Sequence, residues 1–249
     1  MAQYFAPDAV YNLYRVVAAD GTAKRGNLVQ AIADASRHDV DILNLSVGVY
    51  HAEEPHGDCG GHCRVADEAR LAIEDGTAVV AATGNRESDD SLAVHCPSRL
   101  DAAIGVGGFV ARCRHDVLDT SDAGQYWIRD NDVDGPYCGQ RGCGSGERCD
   151  EHRYEYPWRG NVSFHNAVPD VLAPVHHPVD GADSPILQSG TSFGTPVVSG
   201  VVAAISSDCP DDIGPNELAT AVRLSGSDID EGEIPKFSGE RTRAMLGSE

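Results

Sequence analysis

The sequence predicts an α/β fold built on a mostly parallel sheet with helices on both faces, and two observations carry that reading. Short apolar runs of strand length alternate with amphipathic stretches of helical period over residues 27–38, 65–75 and 215–224. The 249 residues, 41% of them hydrophobic, can bury one substantial core. No internal repeat and no apolar run of membrane length breaks the pattern, so a single domain over 1–249 is expected.

Taken in order, the elements fall into recognisable segments. Ala6-Pro7-Asp8-Ala9 reads as a turn, Tyr11 to Val17 as a strand after it, and residues 27–38 as the next helix. Asp41-Ile42-Leu43-Asn44-Leu45-Ser46-Val47-Gly48 forms a second strand, and Thr77-Ala78-Val79-Val80-Ala81-Ala82-Thr83-Gly84-Asn85 a third that ends in an asparagine. Cys96-Pro97 leads into a stretch running to Gly107, and Pro169-Asp170-Val171-Leu172-Ala173-Pro174 makes a later strand. Then comes Gly190-Thr191-Ser192-Phe193-Gly194-Thr195-Pro196-Val197-Val198-Ser199-Gly200. Its continuation through Ile205 is almost entirely apolar, as a helix hidden in a core should be. Gly190 allows close backbone approach, and Pro196 is expected early in the helix, where a missing N–H is tolerated.

Three of these segments, in this order, resemble the motifs of subtilisin-like serine proteases, the subtilases. The match runs from about Ala6 to Gly226, loosely in the middle and poorly at the end, with Val175 standing where a glycine is usual. The resemblance implies a three-layer subtilisin-like fold and a serine endopeptidase that cleaves polypeptides through an acyl-enzyme. Ser192 would be the nucleophile at the first turn of its helix, where unpaired N–H groups and the positive dipole end favour an oxyanion. Asn85 would donate its side-chain amide to that oxyanion. Ser46, Val47 and Gly48 would offer backbone groups to an extended peptide by strand addition, with Gly84, Gly190 and Thr191 also lining the substrate site.

The resemblance also defines what is missing. In subtilases an Asp motif and a His motif precede the nucleophile, and both belong before the Ala6-Pro7 turn. None of the ten histidines lies in a His-Gly-Thr-His setting; His56-Gly57 comes nearest, but it follows the substrate-binding strand. A serine hydroxyl without a base is a poor nucleophile at neutral pH. The fold is therefore expected to be incomplete at the N-terminus, with the Asp and His supplied by an upstream segment or another chain. The alternative is a catalytically inactive module that binds peptides or completes its sheet with a partner. The family's Asp-bearing strand lies between those resembling Tyr11–Val17 and Ile42–Ser46, so its loss exposes unpaired edges or rearranges the sheet.

Charge narrows the partners. The net charge is −20, from 39 acidic and 19 basic residues, and only Lys24 and Lys236 are lysines. Such a surface repels nucleic acid and suits high salt, where screening shortens to a few ångströms. The N-terminus shows no basic stretch before an apolar run, so cytoplasmic residence is expected if Met1 is the start and secretion if it lies upstream.

Eight cysteines leave two chemistries open. Cys59-Gly60-Gly61-His62-Cys63, and Cys138, Cys143 and Cys149 in a Cys/Gly-rich insertion at about 119–160, could hold a structural zinc. Disulfides or thiols fit the irregular spacing better, and no cysteine occupies a matched nucleophile motif. A zinc-stapled scaffold with no peptide role is a third reading. Calcium, used by many subtilases, has Asp89-Asp90 as its nearest candidate, an acidic pair more ordinarily found at a surface. His176-His177 is expected in a loop after residue 174, and Trp127, Tyr137, Tyr154, Tyr156 and Trp158 are expected to pack the insertion.

Dense carboxylates repel one another most where the Debye length reaches about 30 Å, at 0.01 M salt. Folding followed by circular dichroism should improve from dilute buffer to molar KCl. A flat response would remove the case for salt adaptation.

Overall fold

The computed structural model describes residues 1–51, 63–85, 94–113, 153–157, 169–179, 186–209, 213–229 and 232–247. Helices α1 (Ala2–Phe5) and α2 (Arg25–Arg37) precede strand β1 (Ile42–Leu45), and α3 (Arg64–Glu74) leads to β2 (Ala78–Ala82). Then come β3 (Ile104–Cys113), β4 (Arg153–Pro157), β5 (Val171–Pro174), β6 (His176–Val179) and β7 (Ile186–Ser189). The chain continues through α4 (Thr191–Asp208), α5 (Pro215–Leu224), β8 (Ser227–Ile229), β9 (Gly232–Lys236) and α6 (Gly239–Met245).

The main sheet has the order β1-β2-β3-β5-β9-β8. Five of its strands, β1, β2, β3, β5 and β9, run parallel, while β8 pairs antiparallel with β9 and β4 with the far end of β3. Strands β6 and β7 form a separate antiparallel pair. His176 and His177 thus lie in a strand, not the expected loop, because residues 186–189 return alongside to take up their backbone groups.

Strand β2 shows why the arrangement has three layers. Its five residues are all buried, and alternate side chains enter different cores. Val79 and Ala81 join Leu28, Ile32, Val65 and Ile73 from α2 and α3, while Ala78 and Val80 join Val198, Val202, Leu218 and Val222 from α4 and α5. A parallel strand covered on both faces has no polar side, which accounts for its unbroken apolar run.

A partly buried ion pair fixes α5 to the starts of β3 and β5. Arg223 Nε donates to Asp170 Oδ1 at 2.7 Å, its Nη2 donates to the Ala103 carbonyl at 2.5 Å, and the Gly105 N–H donates to Asp170 Oδ2 at 2.6 Å. Burial pushes the Asp170 carboxyl above its usual value, against the pull of Arg223 and the Gly105 N–H.

Two expectations need correction. Residues 11–16 form no strand; the segment makes only an isolated antiparallel bridge between Val17 and Ala23, and Val10 and Leu13 are each 91% exposed. A strand needs a neighbour, and among the described residues β1 pairs on one side only, with β2. Pro196 is the sixth residue of α4, beyond the first turn, so it removes a bond that the Ser192 carbonyl would otherwise accept. Hydroxyls line the adjoining turns, with Thr195 Oγ1 donating to the Thr191 carbonyl at 2.8 Å and Ser199 Oγ to the Thr195 carbonyl at 3.0 Å.

The expected insertion lies outside the described residues except for β4, as do Cys59, His62, Cys138, Cys143, Cys149, Asp89 and Asp90. Among the described residues, no helix is long and apolar enough to cross a membrane.

Candidate active site

Parallel strands bring their C-terminal ends, and the loops after them, to one edge. Strand β2 ends there. Thr83 holds the strand's continuation against β3, its N–H donating to the Val106 carbonyl at 3.1 Å, and Gly84 then takes φ 98°, a conformation that side-chain-bearing residues avoid. The turn leaves Asn85 exposed at the edge.

Helix α4 begins beside it. The Asn85 Oδ1 atom accepts the Thr191 N–H at 2.9 Å and the Thr191 hydroxyl at 3.2 Å, although the two residues are 106 positions apart. Two donors on one oxygen identify that atom as the carbonyl of the amide, which leaves Nδ2 to face elsewhere. It faces the space above Gly190. A Cβ built there would lie 3.2 Å from Asn85 Nδ2 and 3.2 Å from Ser192 Oγ. The asparagine amide and the serine hydroxyl therefore both lie close to the position that a side chain at residue 190 would take, and which glycine leaves open.

Ser192 is half-buried and second in α4, where helix geometry gives its N–H no intrahelical acceptor. Among the described residues no partner for that N–H is present. An N–H at a helix start, a primary amide and a hydroxyl converging on one gap can stabilise an oxyanion formed when that hydroxyl attacks a carbonyl. Thr191 itself is buried and spends both its donors on Asn85, so its part is to aim the amide.

Ser46, Val47 and Gly48 follow β1 at the same edge and are half-buried. Gly48 packs closely on the next segment, where an added Cβ would come within 2.7 Å of His95 Cβ and 2.8 Å of the Cys96 carbonyl oxygen. Val49 and Cys96 then exchange backbone hydrogen bonds of 2.9 and 3.0 Å. Two residues not singled out in the sequence tie this wall to α4. Ser199 Oγ, sharing its one proton with the Thr195 carbonyl, donates to Asn44 Oδ1 at 2.9 Å, and Asn44 Nδ2 donates to Ser46 Oγ at 3.0 Å. A polar residue inside an apolar strand, and a serine inside an apolar helix, were the available signals.

Among the described residues no imidazole hydrogen-bonds to Ser192 Oγ. His38 Nδ1 lies 2.6 Å from the Asp34 carbonyl, and His51 Nε2 is buried without a partner.

A serine hydroxyl and an asparagine amide thus lie beside Gly190 on a parallel sheet packed on both sides by helices. The sequence profile of the subtilase family matches residues 4–234, and the chain belongs to that family. Similar folds include the prenylagaramide maturation protease PagA, with 18% identity, 92% of this chain and 70% of that one covered and a TM-score of 0.59. The self-cleaved protease domain of PatA gives 18% identity, 90% and 69% coverage and a TM-score of 0.59. Sphericase gives 20% identity, 93% and 65% coverage and 0.59. No curated protein matches the sequence.

A methyl group at residue 190 would fill the gap. Gly190→Ala should keep the far-ultraviolet circular dichroism of the wild type and lower serine reactivity by about 100-fold, comparable to losing one oxyanion donor. Unchanged reactivity would mean that the reacting carbonyl sits elsewhere.

Proposed function

We propose that this chain is the greater part of a subtilisin-like serine endopeptidase domain acting on extended polypeptides. The observation that carries the reading is the convergence of Asn85 Nδ2 and Ser192 Oγ above Gly190. Ser192 Oγ attacks the scissile carbonyl carbon as a base takes its proton, and the carbonyl oxygen becomes an oxyanion held by the Asn85 amide and the Ser192 N–H. Collapse expels the amine with a proton returned by the same base, leaving an acyl-serine that water hydrolyses. Ser46, Val47 and Gly48 form one wall of the peptide cleft, with Gly84 and Gly190 at its floor.

The base and its orienting carboxylate come, on this reading, from outside residues 1–249. Support comes from the sheet. Among the described residues β1 pairs on one side only, with β2, and Val10 and Leu13 are each 91% exposed, an arrangement that one more strand beside β1 would suit. A strand in that position, carrying an acidic residue at its end, would complete both the sheet and the triad.

Fluorophosphonate labelling tests the proposal. Residues 1–249 alone should stay unlabelled, and the chain extended by its upstream coding region, or joined by the partner that supplies the Asp and His, should label. Ser192→Ala should abolish that labelling. Asn85→Ala should lower kcat by about 100- to 1,000-fold, the loss such a donor's removal causes in subtilisin, carried over to this chain. Absence of labelling in the completed form would favour an inactive peptide-binding module. Labelling of residues 1–249 alone would place the base within this chain.

A further inference from the structure

Beyond the cleft wall, three soft donors meet. His51, Cys63 and Cys96 each present one ligand atom, and these atoms lie within 4.8 Å of one another. The three come from separate segments: His51 follows the β1 wall, Cys63 precedes α3, and Cys96 lies in the segment on which Gly48 packs. Only Cys63 belongs to the cysteine and histidine group prominent in the sequence; the other two are brought in by the Val49–Cys96 bridge.

We propose that His51, Cys63 and Cys96 bind a zinc ion that staples the substrate-binding wall to α3. The donor types match the metal, since thiolate and imidazole are its preferred ligands. Bonds of about 2.0–2.3 Å hold tetrahedral donors about 3.5 Å apart, so the cluster must draw in by about an ångström. Among the described residues three protein donors are present, and a fourth ligand completes the tetrahedron.

Two local features favour a metal over a Cys63–Cys96 disulfide. His51 Nε2 is buried with no hydrogen-bond partner, an arrangement that costs free energy unless something binds that nitrogen. A disulfide would leave it bare, whereas a metal takes its lone pair. Cys63 is the N-cap of α3, and its Sγ accepts the Ala66 N–H at 3.4 Å. A helix N-terminus stabilises a thiolate, the form that ligates. Binding of Zn²⁺ releases the two thiol protons to solvent, with no redox change.

The ion's position gives it a task. His51 lies three residues after Gly48, and Cys96 is bonded through its backbone to Val49. Fixing both to the start of α3 holds the 46–48 segment at a set distance from the rest of the edge, without any contact to Ser192.

Metal analysis of the full chain purified without chelator should find about one zinc per chain, reduced severalfold in Cys96→Ser and in His51→Gln. Removing zinc with a chelator should lower the thermal midpoint by about 10 °C, and Zn²⁺ alone should restore it. Cobalt substituted for zinc should give a thiolate charge-transfer band that falls by about half in Cys63→Ser. If a variant fails to fold, alkylation of the wild type decides: Cys63 and Cys96 should resist iodoacetamide with Zn²⁺ present and react after chelation. A metal-free chain, zinc content unaffected by the substitutions, or a Cys63–Cys96 disulfide in a non-reduced digest would overturn the proposal. None of these readouts requires peptidase activity, so they stand or fall apart from the role of Ser192.

Discussion

The bond from Thr191 to the Asn85 side chain is the constraint on which the site depends. One oxygen accepts an N–H at 2.9 Å and a hydroxyl at 3.2 Å, and so fixes which end of the amide faces the gap. It also joins the end of a central strand to the start of the most deeply buried helix. Rotating the amide would set a carbonyl oxygen against a developing negative charge and leave two donors on Thr191 unpaired, so orientation and stability favour the same rotamer.

Helix α4 is the common mount for the rest. Val198 and Val202 seat it in one core, the Thr195 hydroxyl donates to the Thr191 carbonyl, and the Ser199 hydroxyl reaches Asn44 and through it Ser46. The segment bearing Ser192 and the residues after β1 are thus referenced to one helix. Displacing the helix by an ångström would disturb both, the kind of error to which reaction geometry is most sensitive.

What was legible in the sequence follows from which forces are local. Helix α5 begins and ends where its apolar period does, and α2 and α3 differ from their expected spans by a residue or two, because burial of one face is written every three or four residues. The strand expected over residues 11–17 failed for the opposite reason: a strand is made by its neighbour, and the sequence pattern says nothing of whether one is present. The motifs singled out Ser192 and Asn85, which the fold brings close to Gly190, while the contacts of Thr191, Asn44 and Ser199 were not legible, since each joins distant segments. The meeting of His51 with Cys63 and Cys96 depends in the same way on the bridge between Val49 and Cys96.

The most direct measurement is a crystal structure of the phosphonate adduct on Ser192, prepared from a form of the protein that carries its general base. The phosphoryl oxygen should lie in the space above Gly190, within hydrogen-bond distance of both Asn85 Nδ2 and the Ser192 N–H, with Asn85 Oδ1 still accepting from Thr191. An adduct whose oxygen turns to solvent while the Asn85 amide makes no contact with it would contradict the oxyanion site and the peptidase chemistry built on it.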